Sequence, residues 1–277
     1  LSAQVARALA EDVGSGDVTA ALIDAGAQAR ATLLTREEAV LCGRPWVDET
    51  FHQLDPAVVI NWHAREGEKV DANTVLCDFA GPARALLTGE RTALNFLQTL
   101  SGTATITRRY AEAISGTGCS ILDTRKTIPG LRLAQKYAVR VGGGRNHRMG
   151  LYDMVLIKEN HIVAAGSVGA ALARARCTAP GIPVEIEVET LAEFRAALAA
   201  GPDVIMLDEF EYESMCEAVA LNKTAAKPVR IEASGGVDLD SVRRVAAAGV
   251  DYISSGSLTK HLRAVDLSLR FTLLPSR

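Results

Sequence analysis

The sequence has no Cys-x-x-Cys pair, no His-x-x-x-His, no apolar run near the ~20 residues of a membrane span and no excess of positive charge. Each absence closes a class of function. Five widely spaced cysteines, Cys42, Cys77, Cys119, Cys177 and Cys216, argue against a disulfide framework or a Cys/His zinc site and fit a reducing compartment. A net charge of −3 offers nucleic acid or anionic lipid no global attraction, so any anion must be gripped by a local arrangement. No signal-peptide pattern follows Leu1, no membrane association is expected, and a cytoplasmic location is.

What is present can bury one sizeable core or a core plus a smaller domain, since 48% of 277 residues are hydrophobic. The first part is mixed. An Ala-rich helix is predicted over 2–11, a turn at Gly14-Ser15-Gly16, and alternating strands near 31–34 and 58–62, which make a small α+β domain. Arg65-Glu66-Gly67-Glu68-Lys69-Val70 with Val75-Leu76-Cys77 looks like the lysine-bearing hairpin of biotinyl and lipoyl carriers. Lys69 lacks the Met or Asp neighbour of a modified lysine, however, and a structural hairpin is expected. Residues 88–114 read as two helices, capped by Thr88 and broken at Ser101-Gly102.

From residue 120 short apolar strands, at 120–122, 154–157, 184–188, 204–207, 229–231 and 252–254, alternate with Ala-rich helices such as 191–199 and 239–247. Repeated βα units predict a parallel sheet. Roughly 140 residues are few for an eight-stranded barrel, which takes ~250, so an incomplete barrel is expected ahead of a doubly wound sheet.

Strand C-termini converge on one mouth of a barrel, and every predicted strand here ends in polar residues. In chain order these are Asp123-Thr124-Arg125-Lys126, Lys158-Glu159-Asn160-His161, Glu187 with Glu189, Asp208-Glu209, Ser234-Gly235-Gly236 and Ser255-Gly256. Residues 123–161 hold eight Lys/Arg against three Asp/Glu, a local +5 on an acidic chain. That points to an anionic ligand. Arg132, Lys136 and Arg140, at i, i+4, i+8 spacing, read as helix-surface charges, which leaves Arg125, Lys126, Arg148 and Lys158 as the candidate ligands. Arginine forks suit carboxylates and lysine suits phosphate. Gly142-Gly143-Gly144 permits close backbone approach. His147 and His161 belong to no metal motif and read as orienting or packing residues. Ser234-Gly235-Gly236 and Ser255-Gly256 close two late βα units, where barrels bind phosphate through backbone N–H groups. Glu187 and Asp208 suit Mg²⁺ or ribose hydroxyls, or pairing with Lys158 or Lys126.

Taken together the chain resembles the quinolinate phosphoribosyltransferase family. The motifs that carry the likeness are Glu11-Asp12-x-Gly14-x-Gly16-Asp17-Val18-Thr19, Gly89-Glu90-Arg91-Thr92-Ala93-Leu94-Asn95, Asp123-Thr124-Arg125-Lys126-Thr127, Gly142-Gly143-Gly144-x-Asn146-His147-Arg148, Leu156-Ile157-Lys158-x-Asn160-His161, Glu185-Ile186-Glu187-Val188 and Glu232-Ala233-Ser234-Gly235-Gly236. One departure is visible, Leu207-Asp208-Glu209-Phe210 where the family usually has Asn in third place.

The resemblance implies an α/β chain: an N-terminal α/β sandwich domain (1–114, joined by the tail 265–277) and an incomplete barrel of about seven strands (115–264). It implies a homodimer with shared active sites, Arg91 reaching into the neighbouring subunit. Arg125, Arg148 and Lys158 would bind the two quinolinate carboxylates, with His147 beside them. Lys126 and Lys158 would also face phosphoribosyl pyrophosphate. Glu187 and Asp208 would serve its ribose and Mg²⁺, and Ser234, Gly235, Gly236, Ser255 and Gly256 its 5′-phosphate. Lys126, Lys158, Glu187 and Asp208 are the expected catalytic group. The expected reaction is phosphoribosyl transfer to quinolinate with decarboxylation. Its rivals are nicotinate phosphoribosyltransferase, which handles one carboxylate, and a non-catalytic anion-binding relative on the same fold. The common phosphoribosyltransferase with a Gly/Thr-rich loop after its acidic pair is excluded, because Phe210-Glu211-Tyr212-Glu213 cannot cradle a phosphate.

Overall fold

The structure is a computed structural model of the chain and describes residues 1–275. Two compact units form. One comprises Leu1–Ile106, Leu133–Gly142 and the C-terminal residues from Leu262; the other comprises Thr107–Arg132 and Gly143–His261. The boundary therefore falls at 106/107 instead of 114, and residues 133–142, expected in the barrel, belong to the first unit. Ser276 and Arg277, the end of the 265–277 tail, lie outside the described residues.

In the first unit four antiparallel strands run in the order Leu267–Leu273, Gln28–Thr35, Val75–Pro82, Val59–Trp62. The C-terminal strand pairs along Gln28–Thr35 from Ala29↔Leu273 to Thr35↔Leu267. Ala29, Ala31 and Leu33 alternate onto one face of the sheet and pack with Leu76, Phe79, Leu86 and Leu97. Lys69–Val70 pairs with Ala39–Val40 and not with Val75–Pro82, so the carrier-like hairpin does not form; Glu38 holds Lys69 at 3.2 Å.

Ala83–Ala113 is a single 31-residue helix, unbroken at Ser101-Gly102. Ser101 Oγ accepts the Cys42 N–H at 2.9 Å, and a Cβ at Gly102 would stand 2.2 Å from the Arg263 carbonyl oxygen. The Ser-Gly pair thus marks a close backbone approach, which only a missing side chain allows. Thr88 lies inside this helix, where its hydroxyl donates to Asp17 Oδ2 at 2.8 Å in place of capping.

In the second unit six parallel strands run in the order Ser120–Leu122, Tyr252–Ser254, Arg230–Ser234, Val204–Asp208, Val184–Val188, Val155–Ile157. The sheet thus has six strands where about seven were expected, and one isolated parallel bridge, Leu122↔Arg145, adjoins its first edge. Ile186, Val188, Ile205, Leu207, Ile231 and Ile253 are buried on one face of the sheet, in register across it, while Glu185, Glu187, Met206 and Glu232 alternate onto the other. Helices follow the strands. Thr190 and Glu193 exchange hydrogen bonds of a capping box that starts Leu191–Ala200. Val242–Ala247 begins later than expected because Asp238 and Ser241 bond each other in the preceding turn.

Candidate active site

Parallel register aligns the strand ends: Ile157 stands opposite Ile186, Val188 opposite Leu207, Asp208 opposite Ser234 and Ser254 opposite Leu122. The polar residues that end each strand therefore lie along one rim, the placement expected of a barrel mouth.

Arg125 and Arg148 form its basic wall. Both are half-buried, and the Arg148 guanidinium is pushed below its ordinary value, first by burial and then by the charge of Arg125. Arginine nevertheless keeps its proton, and the charges of Glu185, Asp153 and Glu187 offset part of the repulsion. Arg125 Nε is buried and has no hydrogen-bond partner, while Arg148 Nη1 reaches the Met154 carbonyl only at 3.5 Å. Unused guanidinium donors out of water are what a carboxylate can satisfy. Arg132 is no surface charge: it donates to Thr127 Oγ1 at 3.1 Å and to the Arg125 carbonyl at 3.4 Å, bracing this segment. Lys136 is fully buried, and of the expected surface trio Arg140 alone is exposed.

Residues 142–148 carry Arg148 to the wall. Asp123, fully buried, accepts the His147 N–H at 3.0 Å and the Asn146 side-chain amide. His147 Nδ1 accepts the Arg148 N–H at 2.8 Å, and Nε2 lies 2.7 Å from Glu185 Oε2 and 3.6 Å from Glu232 Oε2. With Nδ1 accepting, the ring proton belongs on Nε2, which donates to Glu185. Both ring nitrogens are thus engaged inside the protein. These bonds anchor the loop that carries Arg148. His161 Nδ1 likewise accepts the Lys158 N–H at 2.9 Å and serves the start of a helix.

Outward from this wall, Lys158 Nζ meets Glu187 Oε2 at 2.5 Å, so the pairing foreseen for Glu187 is realised with Lys158. Lys126 is exposed and its stem crosses Gly256, where a Cβ would stand 2.9 Å from Lys126 Cδ. Gly235 and Gly236 have φ of 100° and 55°, conformations that favour glycine and bare the backbone of the turn. Glu209, itself at φ 52°, donates its N–H to the Ser234 carbonyl and lays its carboxylate on Gly235, where a Cβ would be 2.5 Å from Glu209 Cδ. The Ser255 hydroxyl is spent on its own turn, donating to the Val237 carbonyl at 3.1 Å and accepting the Ser257 N–H at 3.3 Å. What the Ser255-Gly256 turn offers a phosphate is therefore backbone, as expected of a late βα turn. In the first unit, exposed Arg91 lines a pocket with Asp12, Gly16, Asp17 and Thr88, so two of the sequence motifs meet there.

Among the described residues the trio of metal-ligating groups lying within 4.8 Å of one another is His147, Glu185 and Glu232, and it excludes Glu187 and Asp208. Glu187 and Asp208 are still hard oxygen donors near the ends of adjacent strands. That donor set fits Mg²⁺, which takes one or two carboxylates and completes its shell with water and substrate phosphate.

Models of the quinolinate phosphoribosyl transferase N-terminal and C-terminal domains match residues 17–101 and 103–270. A probable nicotinate-nucleotide pyrophosphorylase (carboxylating) of Bacillus subtilis is 42% identical over 264 residues, covering 95% of this chain and 90% of that protein. The nicotinate-nucleotide pyrophosphorylase (carboxylating) of Mycobacterium leprae is 41% identical over 272 residues, 96% of this chain and 95% of that one. The solved structure of the nicotinate-nucleotide pyrophosphorylase from Francisella tularensis superposes with a TM-score of 0.93 at 46% identity, covering 97% of this chain and 94% of that chain.

Proposed function

Because this chain belongs to the quinolinate phosphoribosyltransferase family, we propose that the rim of its second unit joins quinolinate to phosphoribosyl pyrophosphate. The products are nicotinate mononucleotide, pyrophosphate and CO₂, a step of NAD biosynthesis. One observation carries the assignment of the pocket: the buried, unpartnered Arg125 Nε beside a second half-buried guanidinium, Arg148. Two forks match two carboxylates. Nicotinate, with one, would leave a guanidinium unsatisfied at a cost that favours the diacid.

The mechanism follows from charge. Arg125 and Arg148 hold the carboxylates so that the pyridine nitrogen faces ribose C1, and positioning of this kind supplies much of the rate. The nitrogen attacks C1 as the C1–O bond to pyrophosphate breaks. Lys126 and Lys158 stabilise the negative charge gathering on the leaving group. Glu187 and Asp208 would hold Mg²⁺, whose contribution when bound is neutralisation of pyrophosphate. The ring, now cationic at nitrogen, loses its 2-carboxylate as CO₂; the electron pair left at C2 is stabilised by the adjacent nitrogen and takes up a proton. No covalent nucleophile is needed. Backbone N–H groups at Ser234-Gly235-Gly236 and Gly256 would receive the 5′-phosphate once Glu209 swings aside.

Arg91 is read as completing the pocket of a second copy, which makes the working unit a homodimer. Mixing Arg91→Ala with Lys158→Ala protein should then restore about a quarter of wild-type activity, since half of the dimers are mixed and each keeps one intact site. No restoration, with subunit exchange verified, would remove Arg91 from the site.

The reaction itself is tested with Mg²⁺, phosphoribosyl pyrophosphate and quinolinate labelled in its 2-carboxylate. Labelled CO₂ and pyrophosphate are expected in equal amounts. Turnover of nicotinate but not of quinolinate overturns the diacid reading, and turnover of neither favours a binding protein.

A further inference from the structure

Beneath the rim lies a group that the reaction described above does not use. His147 comes from the loop 142–148, Glu185 from Val184–Val188 and Glu232 from Arg230–Ser234. The carboxyl side chains are each 1% exposed, and each keeps its Oε1 without a hydrogen-bond partner. Two ionised carboxylates at this depth, beside one neutral imidazole, would be costly. Burial, and after it the charge of Glu185, raises Glu232 well above the ordinary carboxylate range and so favours its neutral form. Metal-ligating atoms are close enough here to suit a cation, but at 2.7 Å His147 Nε2 and Glu185 Oε2 stand at hydrogen-bond distance and already satisfy each other. The same ring accepts the Arg148 N–H through Nδ1. From Glu232 through Glu185 and His147, polar contacts thus end on the residue whose guanidinium lies alongside Arg125.

We propose that Glu232 is a positioning residue: with Glu185 it closes a buried polar floor that fixes the His147 ring, and through that ring the backbone and guanidinium of Arg148. Glu232 touches no substrate. It acts by denying the Glu185 carboxylate and the imidazole any other arrangement. The inference rests on the reading of Arg148 as a quinolinate ligand.

Glu232→Gln, Glu232→Ala and Arg148→Ala in the full chain separate the possibilities. Glutamine keeps the shape and neutrality of the acid, and quinolinate KM should stay within about twofold of wild type. Alanine should raise quinolinate KM by about tenfold while leaving phosphoribosyl pyrophosphate KM within about twofold. The hydrogen-bonded His147 Nε2–H should give a downfield proton resonance that is kept in Glu232→Gln and shifted or lost in Glu232→Ala. A quinolinate KM raised by Arg148→Ala but unchanged by Glu232→Ala overturns the proposal. So does an equal rise for both substrates, or a Glu232→Gln protein as impaired as Arg148→Ala; the glutamine variant decides alone if the alanine one does not fold. No change of quinolinate KM in Arg148→Ala instead overturns the reading on which the proposal stands.

Discussion

Glu185 and Glu187 stand two residues apart on one strand, and each faces a basic side chain. Their depths differ. Glu187 is paired at the mouth with Lys158, whose side chain is 49% exposed; Glu185 is paired below with His147, which is 8% exposed. An ion pair open to water can be exchanged for substrate or cation at little cost, because solvent already weakens it. A pair in the floor cannot be exchanged, because breaking it strands a polar group where water does not reach. The mouth is therefore built to change partners and the floor to keep them.

Substitutions that move the two depths differently can break this distinction. The largest effect is expected at the mouth: Lys158→Ala should lower kcat/KM by roughly 10²–10³-fold through loss of charge stabilisation, while stability changes by less than about 1 kcal/mol. Steady-state kinetics and urea unfolding on one preparation read both quantities. Asp123→Ala should do the reverse in kind, removing roughly 3 kcal/mol of stability by stranding the His147 N–H and the Asn146 amide. A urea midpoint near wild type for this variant would erase the contrast.

Smaller effects sharpen it. Glu209→Asn should add roughly 0.5–1 kcal/mol, since asparagine tolerates the left-handed backbone at φ 52° better than glutamate does. It should also lower the phosphoribosyl pyrophosphate KM by withdrawing a carboxylate from the Gly235 turn; a raised KM would mean that Glu209 helps the ligand. The smallest expected effect is a pH dependence of stability. Glu232 has a raised folded value, so its contribution is fully present below its unfolded value near 4.5 and is lost as pH rises toward the folded one. Glu232→Gln should flatten that decline as pH rises above 4.5 in urea titrations; an unchanged slope would show that another group is responsible.

Much of the mouth was legible in the chain. Short apolar runs separated by helical periods located all six strands of the second unit, and the polar residue after each followed from topology. Depth was not legible. Nothing in Glu185-Ile186-Glu187 tells which carboxylate is dry, and Glu232 enters only as the first residue of the motif Glu232-Ala233-Ser234-Gly235-Gly236. Gly102 reads as a helix break because a glycine that ends a helix and one that admits a neighbouring backbone look alike in sequence. Lys136 reads as a surface charge, yet is buried, because its i, i+4 spacing names a helix face without saying what covers it.

By itself, then, the sequence determined a chain with an incomplete parallel barrel, a basic wall at Arg125 and Arg148, and acidic and glycine-rich strand ends facing it. Those are properties of period and residue type, which are local. Tertiary structure alone decided that His147 turns inward, that Ser255 is spent on its own turn, that Glu209 lies over Gly235 and that Glu232 lies buried beside Glu185 and His147. These depend on how far a group lies from water and which distant strand comes beside it, and both are set only when the sheet has formed.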